Sequence, residues 1–182
     1  MDTLLSEGGL VTLRALRRSD GAAFATLCGI PEVARQLGHA PLPLSTLGAE
    51  GFIDISNANR ANGRAFDYAV LEGDAFAGVM GLWAAGDAWS LGYWIAKPFW
   101  GRGLATRAGS ILIAEAARWF PERALVAQVF ADNPASARVL RKLGFVETPD
   151  SGRSFSMARL QSVDTRIYRR NAGLCGAQEA TL

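Results

Sequence analysis

A chain of 182 residues is long enough to bury a substantial core without disulfides or a structural metal. Its formal net charge of +2 is too small to argue for nucleic acid as a partner, although all of its 19 basic residues except Lys97 and Lys142 are arginine. Two cysteines remote in sequence, Cys28 and Cys175, give no disulfide framework, and with His39 as the single histidine no zinc-ligand spacing exists, so no metal is expected.

The opening MDTLLSEGG carries Asp2 and Glu7 and lacks the basic start and apolar stretch of a secretory signal. No later segment has the uninterrupted apolar length of a membrane span, so the expectation is a cytoplasmic protein with no membrane partner. Leu10 to Leu16 alternates as a half-buried strand, and Ser19-Asp20 offers a cap for the helical GAAFATLC. Pro31 to Ala61 reads as irregular helical material broken by HAPLPLSTLG, a loop before a helix from about Leu47 to Asn59. RAFDYAVLEG, DAFAGVMGLW and AWSLGYWIA are strands separated by Glu72-Gly73-Asp74 and Ala85-Gly86-Asp87, an antiparallel meander. A helix from Leu104 to Phe120 places Leu104, Ala108, Ile111, Leu112, Ala116 and Trp119 on one stripe, and Pro121 ends it. RALVAQVFA then reads as a strand, NPASARVLRKLG as a capped helix closed by Gly144, and FVET as a short strand; this order implies a parallel pair. VDTRIYRR is a last strand before an aperiodic tail. No internal repeat or second domain is evident, so a single domain over residues 1–170 and a flexible tail over 171–182 are expected.

Gly101-Arg102-Gly103 stands at the mouth of the long helix. A helix start carries unpaired N–H groups and the positive end of the macrodipole, so glycines there suit an anion. A dinucleotide fingerprint is a poor fit, because the third glycine is missing and Lys97 to Trp100 intervene after the strand. A phosphate-binding Walker loop fits worse, since no Gly-Lys-Ser/Thr follows.

A second element, ADNPASARVLRKLGF, lies about 30 residues downstream at a strand-to-helix junction. Together, PFWGRGLAT and NPASARVLRKLGF resemble the GNAT superfamily of acyl-CoA N-acyltransferases. LVTLRALRRSD, LGYWIAKPFWGRGLAT and the ending resemble its RimJ/RimL-like branch, and the resemblance runs from about Leu10 to Arg170. It implies an α/β (α+β) fold: a mixed, mostly antiparallel sheet of six or seven strands flanked by helices, with a parallel, splayed strand pair forming the acyl-CoA slot.

The resemblance also implies a set of roles. Backbone N–H groups from about Arg102 to Thr106 hold the CoA pyrophosphate, with Trp100, Gly101, Gly103, Leu104, Ala105 and Arg107 around it. The strand through Tyr93, Trp94 and Ile95 splays from the strand through Val126 to Phe130, so that pantetheine pairs with exposed backbone. Alternation lets only one of Tyr93 and Trp94 face the slot. An acetyl group passes from acetyl-CoA directly to nitrogen, without metal or covalent intermediate. Ser136 protonates the departing thiolate, with Tyr93 as the other candidate; Asn133 caps its helix, contacts pantetheine, or both. His39 and Leu42 border the acceptor. The implied partners are CoA or acetyl-CoA and an amine, here a protein or peptide N-terminus, while monomer and homodimer both stay open.

Three departures from the family pattern matter. Trp100 stands where many relatives have a basic residue or glutamine, and Arg107 stands where the branch commonly has glutamate. Ser90 occupies the position where some relatives place a carboxylate base, so the proton acceptor is unassigned. A small-molecule amine acceptor, and a CoA-sensing module that has lost catalysis, are the alternatives to a protein acceptor.

Overall fold

Residues 3–5 and 11–173 are described in a computed structural model of the chain, with backbone alone given for 3–5. The elements are β1 (Thr3–Leu5), β2 (Val11–Ala15), α1 (Gly21–Cys28), α2 (Pro31–Ala34), α3 (Thr46–Ala61), β3 (Ala65–Glu72), β4 (Ala75–Ala85), β5 (Ala88–Ile95), α4 (Leu104–Trp119), β6 (Leu125–Phe130), α5 (Pro134–Lys142), β7 (Val146–Ser156) and β8 (Gln161–Arg170). Most of the expected tail, from residue 174 on and including Cys175, lies outside the described residues, as does Leu10.

All eight strands join one sheet in the order β1-β2-β3-β4-β5-β6-β8-β7. Every neighbouring pair is antiparallel except β5 with β6, whose parallel crossover is made through α4. The mixed, mostly antiparallel sheet with a parallel pair is therefore as expected, while the strand count exceeds the six or seven anticipated. FVET proves to be the start of a strand that runs on to Ser156, through a register irregularity between Glu147 and Ser151. Pro149 sits on an edge strand, where its missing N–H costs no ladder bond. The order β6, α5, β7 does not make adjacent parallel partners, because β8 folds back from β7 and takes the place beside β6.

Alternation along the strands sends side chains to two separate cores. On one face Val11, Leu13, Tyr68, Val70, Met80, Leu82 and Leu91 pack with Leu104, Ala108 and Leu112 of α4 and Leu140 of α5. On the other, Ala69, Val79 and Trp94 pack with Phe24 and Cys28 of α1, Val33 of α2, and Ala49 and Ile53 of α3. Of the expected stripe of the long helix, Leu104, Ala108, Leu112 and Ala116 are buried and Ile111 and Trp119 half-buried, Gly109 and Ile113 join the buried face, and the helix ends at Trp119, with Phe120 as its C-cap.

The expected cap at Ser19-Asp20 is built differently. Asp20 does not cap α1; its carboxylate accepts from Arg17 N at 2.8 Å, closing the 3-10 turn Arg18–Asp20. It also takes both terminal nitrogens of Arg14 at 2.7 and 2.8 Å, with 8% of the Asp20 side chain exposed. Burial alone would raise the Asp20 pKa, but the Arg14 and Arg17 hydrogen bonds and charges outweigh it and leave it lowered. An unfolded aspartate titrates near about 3.9. The pair's contribution is therefore complete above that value and lost as pH falls below it through the lower folded pKa. Asp20→Asn should cost about 2 kcal/mol near neutral pH, by loss of a bidentate charged bond. In urea unfolding the gap between variant and parent should shrink as pH is lowered from about 7 to about 2.5.

Candidate active site

The parallel register of β5 and β6 holds Trp89 against Leu125 and Ser90 against Val126, and Trp89 N donates to Ala124 O at 3.0 Å. Past these positions the strands part, although β5 stays paired to β4 as far as Ile95 with Gly78. Backbone groups alternate in direction along a strand. Since Trp89 N points to the β6 side and Ala96 N reaches Ala77 O of β4 at 2.8 Å, the amides of Leu91, Tyr93 and Ile95 face the gap.

Two side chains tie the gap together on the α5 side. Tyr93 Oη and Ser136 Oγ lie 2.8 Å apart, and either hydroxyl can donate. Ser136 is held by the cap of α5, where its N–H donates to Asn133 Oδ1 at 3.0 Å. Burial pushes the Tyr93 phenol up to about 12, despite the opposing hydrogen bond with Ser136. The phenol thus keeps its proton at neutral pH. Trp94 points to the opposite face, edge-on to Phe24 at 5.1 Å and near Phe76 at 6.0 Å. Of the two aromatics, Tyr93 is the one beside Ser136.

The helix mouth fits an anion. Gly101 and Gly103 both have φ of 77°, a left-handed conformation that costs other residues about 1–2 kcal/mol, and an added Cβ at either would meet open space. Arg107 N is the first to bond back, to Gly103 O at 3.1 Å, and no side chain caps α4. The leading amides of Gly103, Leu104, Ala105 and Thr106 are therefore the orphan donors of the helix start. Arg102 is drawn aside: it pairs with Glu72 at 2.7 Å and lies over the Phe99 ring at 5.4 Å. Arg107 is exposed on the first turn. Trp100 turns its indole back, donating Nε1–H to Ile95 O at 2.6 Å.

His39 and Leu42 are both exposed, on the loop between α2 and α3. That loop is stitched to the β7–β8 turn by Met157 N to Gly38 O at 3.0 Å and Ser156 Oγ to Leu37 O at 3.2 Å. Arg159 joins both to the segment after β6, donating to Arg35 O at 2.6 Å and pairing with both oxygens of Asp132. His39 and Leu42 thus belong to the segment bordering the end at which β5 and β6 separate.

Sequence reading passed over one carboxylate. Asp67 lies on the α3 face of β3, where Ser56 Oγ donates to its Oδ2 at 2.8 Å. A methyl group at Gly81 would collide with its Oδ1. Among the described residues no cluster of three or more His, Cys, Asp or Glu could hold a metal ion, and no helix is long and apolar enough to cross a membrane.

Comparison with solved structures gives the same architecture. A coenzyme A complex of RimL, a ribosomal-protein alpha-N-acetyltransferase, superposes with a TM-score of 0.79 at 22% identity, covering 93% of this chain and 98% of that one. Mycobacterium smegmatis RimJ in complex with a CoA disulfide gives a TM-score of 0.80 at 20% identity, covering 96% and 88%. The microcin self-immunity acetyltransferase MccE, in complex with acetyl-CoA and AMP, gives 0.77 at 20% identity, covering 88% and 92%. No curated protein sequence matches the chain. The sequence model of the Acetyltransferase (GNAT) domain matches residues 11–146, three quarters of the molecule and the whole span from β2 through the helix mouth and α5. The chain therefore belongs to the GNAT acetyltransferase family and is an enzyme of the N-acetyltransferase class.

Proposed function

We propose that the protein moves an acetyl group from acetyl-CoA directly to a primary amine, with a protein or peptide α-amino terminus as acceptor, in the cytoplasm. The observation that carries this reading is the gap between β5 and β6, framed by an anion-ready helix mouth at one end and the Tyr93–Ser136 hydroxyl pair beside it. In this reading the amides from Arg102 to Thr106 seat the pyrophosphate, with Arg107 close by; Arg102 contributes its backbone, since its side chain is held by Glu72. Trp100 and Ile95 form the rim next to it, and Trp94 fixes β5 from behind.

Pantetheine then pairs with the gap-facing N–H groups of Tyr93 and Ile95, reached also from Asn133. An N–H on that edge steadies the oxyanion formed when nitrogen attacks the thioester. Ser136, backed by protonated Tyr93, supplies a proton to the departing sulfur. His39 and Leu42 border the acceptor. The α-amino reading draws support from the RimL and RimJ likenesses. It also suits a slot without a carboxylate at Ser90, because an α-amino group deprotonates near roughly 8 against about 10.4 for lysine. Release of CoA with a panel of N-terminal peptides and small amines tests it; turnover of small amines alone would replace the protein acceptor.

Ser136→Ala keeps the backbone N–H that Asn133 caps, so the fold should be unchanged. The kcat should fall roughly tenfold or more while acetyl-CoA affinity holds, because the hydroxyl acts chiefly in the transition state. A normal kcat with chemistry rate-limiting would remove Ser136 from the mechanism. Gly103→Glu sets a carboxylate and a strained φ in the phosphate seat, and calorimetry should show acetyl-CoA binding largely lost. Undiminished affinity would refute the placement. Asn133→Ala should lower stability by about 1 kcal/mol through the cap and weaken cofactor binding as well, whereas Asn133→Ser should recover the stability alone. Full recovery of both would argue against a pantetheine contact.

A further inference from the structure

The α3 face of the sheet holds one row of residues that runs straight to the gap. In register, Asp67 of β3 stands opposite Gly81 of β4, and Gly81 opposite Gly92 of β5. All three share the α3 face, since Ala69, Val79 and Trp94, each two residues along its own strand, belong to the core on that face. Gly92 lies between Leu91 and Tyr93, whose backbone borders the gap. Both positions separating the Asp67 carboxylate from the gap are thus glycines.

The space those glycines leave is used by two other groups. Oδ1 of Asp67 leans over Gly81, and the six-membered edge of the Trp83 indole lies over Gly92; a methyl at either glycine would collide with them. The Trp83 side chain is 43% exposed although it sits on the sheet. Ser56, almost fully buried, fixes Oδ2 of Asp67 and leaves Oδ1 turned along the row. Two strand spacings put the Asp67 and Gly92 Cα atoms about 10 Å apart.

We propose, resting on the acetyltransferase reading above, that Asp67 and Trp83 form the seat of the acceptor amine, with Asp67 taking the ammonium proton and the Trp83 face holding the cation. A carboxylate beside an aromatic face selects a primary ammonium over a neutral or anionic acceptor. Asp67 removes one proton from the ammonium, and the freed lone pair forms the C–N bond at the acetyl carbonyl carbon. As the tetrahedral species collapses the C–S bond breaks, sulfur receives a proton from the Tyr93–Ser136 pair, and nitrogen gives up a second proton that restores the pair. The proton on Asp67 passes to solvent, so the balance is ammonium plus thioester to amide, thiol and one proton. Attack comes from the α3 face and thiolate protonation from the α5 face, so acid and base do not quench each other.

The charged group acting on Asp67 is Arg60 of α3, which donates to the Asp67 backbone carbonyl and stacks over the Tyr68 ring at 4.2 Å. The residues that the registers place beside it on that face of β4 and β5, Gly81, Trp83, Ser90 and Gly92, carry no charge. Burial raises the Asp67 carboxyl above its usual range, against the smaller pulls of Ser56 and Arg60. That brings it nearer to the amine it must deprotonate.

The test uses tyramine and alanyl-alanine amide as acceptors, with acetyl-CoA turnover and calorimetric binding of each amine to the CoA-loaded protein as separate readouts. Asp67→Asn should lower kcat roughly 100-fold, abolish the acid limb of the kcat profile and leave acetyl-CoA affinity unchanged. A carboxylate that merely links α3 to β3 predicts a stability loss with the limb intact, which would overturn the proposal. Ser56→Ala, which keeps the carboxylate and removes a donor to it, should move that limb to higher pH and serves if Asp67→Asn does not fold; an unmoved limb counts against Asp67. Trp83→Leu should raise amine KM roughly fivefold, and an unchanged KM removes Trp83 from the seat. If the parent protein turns over neither amine, the acetyltransferase reading fails for these acceptors. The seat is still decided by binding, which must weaken at least roughly fivefold in Asp67→Asn, and equal or absent binding overturns it.

Discussion

The incomplete closure of β5 on β6 is the constraint around which the molecule is arranged. A parallel pair gains its backbone hydrogen bonds only while the strands stay about 4.8 Å apart. Here they hold together at Trp89–Leu125 and Ser90–Val126 and then diverge. Leaving the amides of Tyr93 and Ile95 without a strand partner is costly unless water or a ligand takes them. The surrounding structure fixes β5 in place. Trp94 is wedged among Phe24 and Phe76, Trp100 satisfies the Ile95 carbonyl, and Gly78 lets β4 pass close to the Trp94 carbonyl where any side chain would collide.

Two cores flank that opening. α4 and α5 cover one face, and α1, α2 and α3 cover the other, so the gap is reached from both sides by different chemistry. The α5 face brings hydroxyls whose protons stay on at neutral pH; the α3 face brings a half-buried carboxylate and an exposed indole. For acyl transfer this division is useful, because the nucleophile must lose a proton while the leaving group gains one. Arg159 closes the rim by tying the α2–α3 loop, the β7–β8 turn and the segment after β6 into one border.

Much of this was legible in the residues. Gly101 and Gly103 at the helix mouth, Asn133 before Pro134, and the meander from Arg64 to Ala96 all lie where local chemistry put them, because caps, turns and strand alternation depend on neighbours a few positions away. The strand to Ser156 was not legible: Pro149, Asp150 and Gly152 carry turn chemistry, and only an edge position makes them tolerable. Ser19-Asp20 reads as a helix cap, but Asp20 instead closes the preceding turn and pairs with Arg14, since that bond needs β2 and the turn after it to meet.

By itself, then, the sequence determined the local devices: a glycine-flanked, uncapped start of α4, a capped α5, and a periodicity that assigns each strand residue to one of two faces. Tertiary structure alone decided which of them meet. Tyr93 and Ser136 are 43 residues apart and touch because the α4 crossover brings β6 alongside β5. Asp67, Gly81 and Gly92 form a row only because the registers of three strands align. Register is fixed by burial summed over whole strands, and no single stretch of sequence contains that sum.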